Sequence, residues 1–350
     1  MSGRAEREPA TPRGLAGPRA EKTVSLALQG GGAHGAFTWG VLDALLEDGR
    51  LAIEAITGAS AGAMNAVALL EGWLEGGCDG ARAQLESFWK RVSLDGNLSP
   101  VQRGLFGHFF DAWGSHAWND VLAHTVSPYA SNPLNINPLR DALATLIDFG
   151  RVRACADAAL FVTATNVWTG KVAVFRREEL TADHVLASAC LPTVFQAVEI
   201  GGEPYWDGGY TGNPALFPLF YETRTDDVVL VQINPVERRQ TPRTAREIHN
   251  RLNEITFNAN LLREMRAVAF VSRLIDEGKL SSDEYKQVRL HRVDGTGVLD
   301  AHEASSRMRA EWRFFLELRD AGRATAQGWL ERNYDAVGER GTLDIAAALS

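Results

Sequence analysis

Two glycine-framed turns near the start of the chain carry residue types that suit acyl chemistry. Gly58-Ala59-Ser60-Ala61-Gly62 fits the G-x-S-x-G pattern, a sharp strand-to-helix turn that projects a serine hydroxyl. Small flanking residues permit it, because larger side chains would collide with neighbouring backbone. Upstream, Gly30-Gly31-Gly32-Ala33-His34-Gly35 can present bare N–H groups at a helix start, where negative charge is favoured. Such amides can hold a phosphate or a developing oxyanion. The same six residues satisfy G-x-G-x-x-G, a dinucleotide pattern that asks for an acidic residue ending the second strand. Glu54 has roughly the right spacing, but it begins that strand and a glycine turn occupies the end. Taken alone, the Ser60 turn also reads as a Gly/Ala-rich turn whose serine caps a helix.

A serine nucleophile needs a base. Asp207, in Trp206-Asp207-Gly208-Gly209, follows a short expected strand and precedes a Pro/Gly-rich turn to a helix near Pro214. By itself Asp-Gly-Gly is an ordinary turn. The order Ser, acid, His leaves His249, His291 and His302 as formal members of a triad. They lie in an amphipathic helix, a charged segment and a helix start, and each reads as a surface or core histidine. No H-E-x-x-H or clustered Asp/His set points to a metal. The three cysteines, Cys78, Cys155 and Cys190, show no C-x-x-C and read as small core residues suited to a reducing compartment.

The elements that must position these residues follow the rhythm of a parallel sheet covered by helices. A strand is expected over 23–29, a helix over 36–46 ending near Gly49, a second strand over 53–57, and a buried helix over 64–70. Residues 93–138 break the rhythm. They hold Phe106, Phe109, Phe110, Trp113 and Trp118, and read either as a lid or as a peripheral insert with its own core. A hairpin is expected over 160–167 and 171–175, and strands over 194–200 and 227–233. From Thr244 onward Ile248, Leu252, Ile255, Ala259, Leu262 and Ala269 recur at helical spacing, and 308–333 gives another long helix. These C-terminal helices either cover the sheet or form a small module.

With 350 residues, 45% hydrophobic and 23% charged, the chain is globular in composition, which excludes disordered, collagenous and coiled-coil classes. A net charge of −8 gives no general attraction to nucleic acid or anionic membranes and leaves room only for a local basic patch. No stretch approaches the ~18 apolar residues of a membrane span. Residues 1–22, rich in Ala, Pro, Arg and Glu, read as a solvated tail without a signal-peptide core. A cytoplasmic location is expected.

In combination the motifs are more specific than any one of them. Gly30–Gly35, the elbow around Ser60 and Asp207-Gly208-Gly209, in that order, resemble the patatin-like phospholipases, lipid acyl hydrolases with a Ser–Asp dyad. Ala187-Ser188-Ala189-Cys190-Leu191-Pro192 with Phe195, and Asn213-Pro214, agree; the resemblance spans residues 22–235. It implies a three-layer α/β/α fold with a mainly parallel central sheet, here followed by C-terminal helices. The expected organisation is a tail (1–22), a catalytic domain (23–235, with 93–138 as lid or insert) and a helical region (236–350) packing on or extending it. It also implies Ser60 as nucleophile, Asp207 as general base, and an oxyanion hole of Gly31 and Gly32 with Gly30 and Ala33 beside them. His34, Gly35, Gly58, Gly62, Gly208 and Gly209 support the motifs. The chemistry needs no metal or organic cofactor. The family usually has Lys or Arg where this chain has His34, so a fixed positive charge beside the hole is not assured. The implied substrate is a lipid or other acyl ester, with transient lipid-surface contact and oligomerisation through the C-terminal helices left open and no nucleic-acid partner. An intracellular carboxylesterase or polyester hydrolase with the same dyad is the nearest alternative. A non-catalytic binding protein and a dinucleotide-binding enzyme are more remote.

Overall fold

In the computed structural model, which describes residues 14–93, 127–299 and 310–349, the first strand is Lys22–Leu28 (β1). A glycine turn leads to the helix Gly35–Asp48 (α1), which ends at Gly49 in the left-handed region (φ 69°). Leu51–Ala59 (β2) runs through Ser60 into Ala61–Val92 (α2), which is kinked at Gly76 and Gly77. After Pro138–Leu146 (α3) and Phe149–Ala154 (α4) comes the expected hairpin, Ala159–Asn166 (β3) and Val172–Arg176 (β4). Ala182–Ser188 (α5), Val198–Ile200 (β5), Glu203–Asp207 (β6), Phe217–Glu222 (α6) and Asp227–Gln232 (β7) follow. The C-terminal part adds Ala245–Asp276 (α7), Arg289–Asp294 (β8) and Trp312–Asn333 (α8).

The strands form one sheet in the order β5-β6-β3-β2-β1-β7-β8, with β4 also on β3. From β3 through β8 the neighbours are parallel, while β4 and β6 run antiparallel to β3. Period-2 alternation sends Leu26, Leu28, Val229 and Val231 to one face, packed with α1, α2, α5 and α8. Ala27, Val228, Leu230 and Phe161 point to the other face, against α6 and α7. Both faces are covered, so the central strands read as nearly continuous apolar runs, and the fold is three-layer α/β/α.

The register along β3 positions the chemistry. Thr163 pairs with Ala59 of β2, and the next residue, Ala164, pairs with Asp207 of β6. The other edge of both residues is taken by β4, through Val174 and Ala173. β2 and β6 therefore share one edge of β3, running toward each other, and their C-terminal ends meet there.

Three expectations change. The C-terminal region is not wholly helical: β8 extends the sheet beside β7, and α7 and α8 lie on opposite faces of it. Residues 14–21 are not a solvated tail, since Leu15 is buried and exchanges two backbone hydrogen bonds with Ile53 (2.8 and 3.1 Å) of β2, ahead of where β3 begins to pair at Ala55. The strand expected over 194–200 shrinks to Val198–Ile200, because 192–195 form a turn. Phe106, Phe109, Phe110, Trp113 and Trp118 lie outside the described residues. Among the described residues no helix is long and apolar enough to cross a membrane.

Candidate active site

Ser60 sits between the last residue of β2 and the first of α2 at φ 51°, ψ −121°, a strained conformation for a residue with a side chain. The strain is held by backbone crowding. A Cβ on Gly62 would lie 2.2 Å from the Leu28 carbonyl oxygen, and one on Gly30 would lie 2.7 Å from both the Ala59 carbonyl oxygen and Ser60 Cβ. Only glycine lets the two turns touch. The Ser60 amide donates to Ser188 Oγ (2.8 Å), so the last residue of α5 also fixes the turn.

Asp207 ends β6 and is buried. Its amide donates to the Cys190 carbonyl (2.8 Å), and its carbonyl accepts from Thr165 Oγ1 (2.8 Å). The carboxylate accepts from the Gly209 amide (2.7 Å), and the nearby Ser60 side chain favours its charged form. Burial pushes this carboxyl up to about 7, against the partial opposition of the Gly209 amide and Ser60. The end-to-end meeting of β2 and β6 thus brings a serine hydroxyl onto a carboxyl of near-neutral pKa.

The glycine turn after β1 is clamped by buried amide side chains. Asn213 Oδ1 accepts from the Gly30 amide (2.7 Å), and Asn234 Nδ2 donates to the Gly30 carbonyl (2.6 Å). Gln29 Oε1 accepts from the amides of Ile233 and Asn234 (both 2.9 Å), while its Nε2 donates to Asn258 Oδ1 of α7 (3.2 Å). From α2, Asn65 Nδ2 donates to the Gly35 carbonyl (3.0 Å). This corrects one expectation: the Gly30 amide is committed to Asn213 and is no free donor. The amides of Gly31, Gly32 and Ala33 have no acceptor among the described residues. His34 is buried in the short 3-10 turn Gly32–His34, and Gly35 opens α1. Gly58 packs under the start of α2, and Gly208 and Gly209 turn the chain just beyond Asp207. Sequence reasoning missed Ser188 as a partner of the Ser60 amide and missed the Gln29, Asn65, Asn234 and Asn258 clamps. Gln29 and Asn234 had one signal, an amide residue directly before a glycine or proline; Asn65 and Asn258, inside helices, had none.

The histidines do not complete a triad with Ser60. His291 lies in β8, where Nε2 is 2.9 Å from Asp227 Oδ1 and Nδ1 is 3.0 Å from Thr342 Oγ1. Asp227 begins β7, so this pair sits at the opposite end of the sheet from Ser60. Burial pushes the Asp227 carboxyl up, but hydrogen bonds from His291 and Arg289 outweigh it and hold the group at about 2. For His249 only the backbone, within α7, is described, and His302 lies outside the described residues. Glu54 is likewise at the far end, accepting from the amides of Arg224 (3.0 Å) and Thr225 (2.8 Å), away from the glycine turn where a dinucleotide's ribose would need it. Burial pushes the Cys190 thiol up to about 12, which makes it inert. No three metal-ligating side chains cluster among the described residues.

An α/β sheet carrying a serine on a strained strand-to-helix turn, with a buried carboxyl in contact, defines the setting in which the comparisons with known proteins fall. Residues 26–220, more than half of the chain, match the patatin-like phospholipase family, and the chain belongs to it. This is a family of lipid acyl hydrolases. Among solved structures, VipD from Legionella pneumophila is similar at 15% identity and a TM-score of 0.40, over 95% of this chain and 72% of that one. No curated protein matches the chain.

Proposed function

We propose that the protein is a serine acyl hydrolase that cleaves carboxylic esters of lipids, as a phospholipase A or lysophospholipase does, with Ser60 as nucleophile and Asp207 as general base. The observation that carries this reading is the meeting of the strained Ser60 turn with the buried Asp207 carboxyl, whose charged form the Ser60 side chain stabilises. Ser60 Oγ attacks the ester carbonyl carbon as its proton passes to Asp207. The negative charge on the carbonyl oxygen is met by the amides of Gly31 and Gly32, with Ala33 beside them. One such donor is worth ~2.7–4 kcal/mol of barrier in comparable holes. Collapse breaks the ester C–O bond, and Asp207 returns the proton to the leaving alcohol. Water, giving a proton to Asp207, then attacks the acyl-Ser60 ester and releases the carboxylic acid, and the proton returns to Ser60.

A carboxylate of ordinary pKa is a feeble base for a serine. Raised to about 7, Asp207 is ionised in half of the molecules at neutral pH and is a thousandfold better proton acceptor, to order of magnitude. Gly30 serves by position, since its clamp by Asn213 and Asn234 aims the next two amides. Backbone donors supply the hole, so His34 in place of a basic residue does not remove it. The catalytic unit spans 23–235, completed by β8, α7 and α8.

The test compares wild type with Ser60→Ala on a p-nitrophenyl acyl ester and on a phospholipid. Ser60→Ala should lose turnover and fluorophosphonate labelling while melting like wild type. Retained turnover would reject the dyad, and turnover of the soluble ester alone would favour a carboxylesterase.

A further inference from the structure

Several of the residues that recur at helical spacing along α7 face outward. Positions 248, 252, 255, 262, 266 and 270 share one face of this helix. Ile248, Leu252, Ile255 and Phe270 on that face are 45%, 56%, 50% and 53% exposed. The buried face instead carries Phe257, Leu261, Met265 and Val268 together with Glu254 and Asn258.

Leu262 and Arg266 of the same face line a cleft of about 850 Å³, together with Arg238, Arg239, Arg251 and Arg292. Among the described residues lining the cleft the carboxylates, Glu237 and Asp294, are fewer. Glu254 is shared by Arg238 and Arg251, Glu237 pairs with Arg239, and Asp294 pairs with Arg292. Arg266 has no carboxylate partner among the described residues. A protein of net charge −8 therefore keeps a surplus of positive charge beside its exposed apolar stripe. This face is also at the catalytic end of the sheet. Gln232 and Asp294, the last residues of β7 and β8, line the cleft. Phe257 of α7 packs on Tyr210, and Asn258 holds Gln29 before the glycine turn.

We propose that this face of α7 docks the protein on an anionic lipid surface. The apolar stripe lies among the upper acyl chains, and the cleft arginines take headgroup phosphates. The charge decides the occupant: a second copy related by a twofold axis would set this arginine surplus against itself, whereas an anionic surface complements it. The proposal rests on the lipid-hydrolase reading for its purpose but not for its test.

The test uses the Ser60→Ala protein, so that vesicles stay intact, with vesicles of phosphatidylcholine alone or with about a third phosphatidylglycerol. Sedimentation should show binding to the anionic vesicles that weakens with salt. Leu252→Ser with Ile255→Ser should weaken partition at least about tenfold. Arg239→Gln with Arg266→Gln should weaken it about fivefold per arginine. Placed in the wild-type background, both pairs should leave soluble-ester turnover unchanged. Vesicle binding unaffected by either pair, no binding to anionic vesicles, or a dimer that Leu252→Ser with Ile255→Ser dissociates would each overturn the docking proposal. Binding by Ser60→Ala together with an inactive wild type would instead sink the catalytic reading and leave the docking surface standing.

Discussion

Replacing Asp207 by Asn separates catalysis from stability in a way that depends on pH. The carboxyl is raised from an ordinary 3.8 to about 7 because folding strips it of water. At 1.36 kcal/mol per tenfold change in proton affinity, that difference corresponds to about 4 kcal/mol. A raised acid binds more protons folded than unfolded, so stability falls as pH rises from about 4 to about 7. The cost is absent below the unfolded value and complete above about 7. Asparagine keeps the shape, lets Oδ1 go on accepting from Gly209, and carries no charge to desolvate. Asp207→Asn should therefore raise unfolding stability by about 2–4 kcal/mol at pH 8 and by almost nothing at pH 4, as read from urea midpoints at each pH. Turnover should vanish throughout. In wild type, kcat/KM for p-nitrophenyl butyrate, followed at the isosbestic wavelength of the product, should rise about tenfold between pH 6 and 8. A flat wild-type profile over that range, with Asp207→Asn equally stable relative to wild type at both pH values, would refute a buried base of raised pKa.

Other perturbations probe the supporting structure. Asn213→Ala leaves the buried Gly30 amide without its acceptor, which should cost about 1–3 kcal/mol of stability. It should also lower kcat at least about tenfold by letting the neighbouring amides drift, and Asn213→Asp, which restores an acceptor, should recover part of the rate. His291→Ala removes a partner from buried Asp227 and should cost about 3 kcal/mol near pH 7. That penalty should shrink as pH falls toward about 2, where Asp227 takes up a proton and its pairing no longer stabilises the fold. Ester turnover measured below the melting point should be unchanged, because this pair is at the other end of the sheet.

What could be read from the sequence was local. Glycines crowd where two turns touch, and the nearly continuous apolar run of β7 announces a sheet covered on both sides, so the turns at 30–35 and 58–62 sit on the expected elements. The contact between Ser60 and Asp207 is not local. It depends on β3 lending one edge to two strands in succession, and the apolar pattern of a strand tells which face is buried but not which strand lies beside it. On α7 the usual rule is inverted: Glu254 and Asn258 are buried because Arg238, Arg251 and Gln29 satisfy them, which turns the apolar stripe outward. β8 was hidden for a related reason. As an edge strand it carries Arg289, Arg292 and Asp294, and charges of that kind mask a strand's apolar rhythm.

The shared edge of β3 makes assembly a precondition of reactivity. Each half of the dyad arrives on its own strand, and neither strand can hold its partner until the hairpin between them has been laid into the sheet. In a chain still growing from its ribosome, with residue 60 already made but residue 207 still to come, the proposed dyad has only one of its two members. The two members of the proposed dyad come together only when the nascent sheet zips shut.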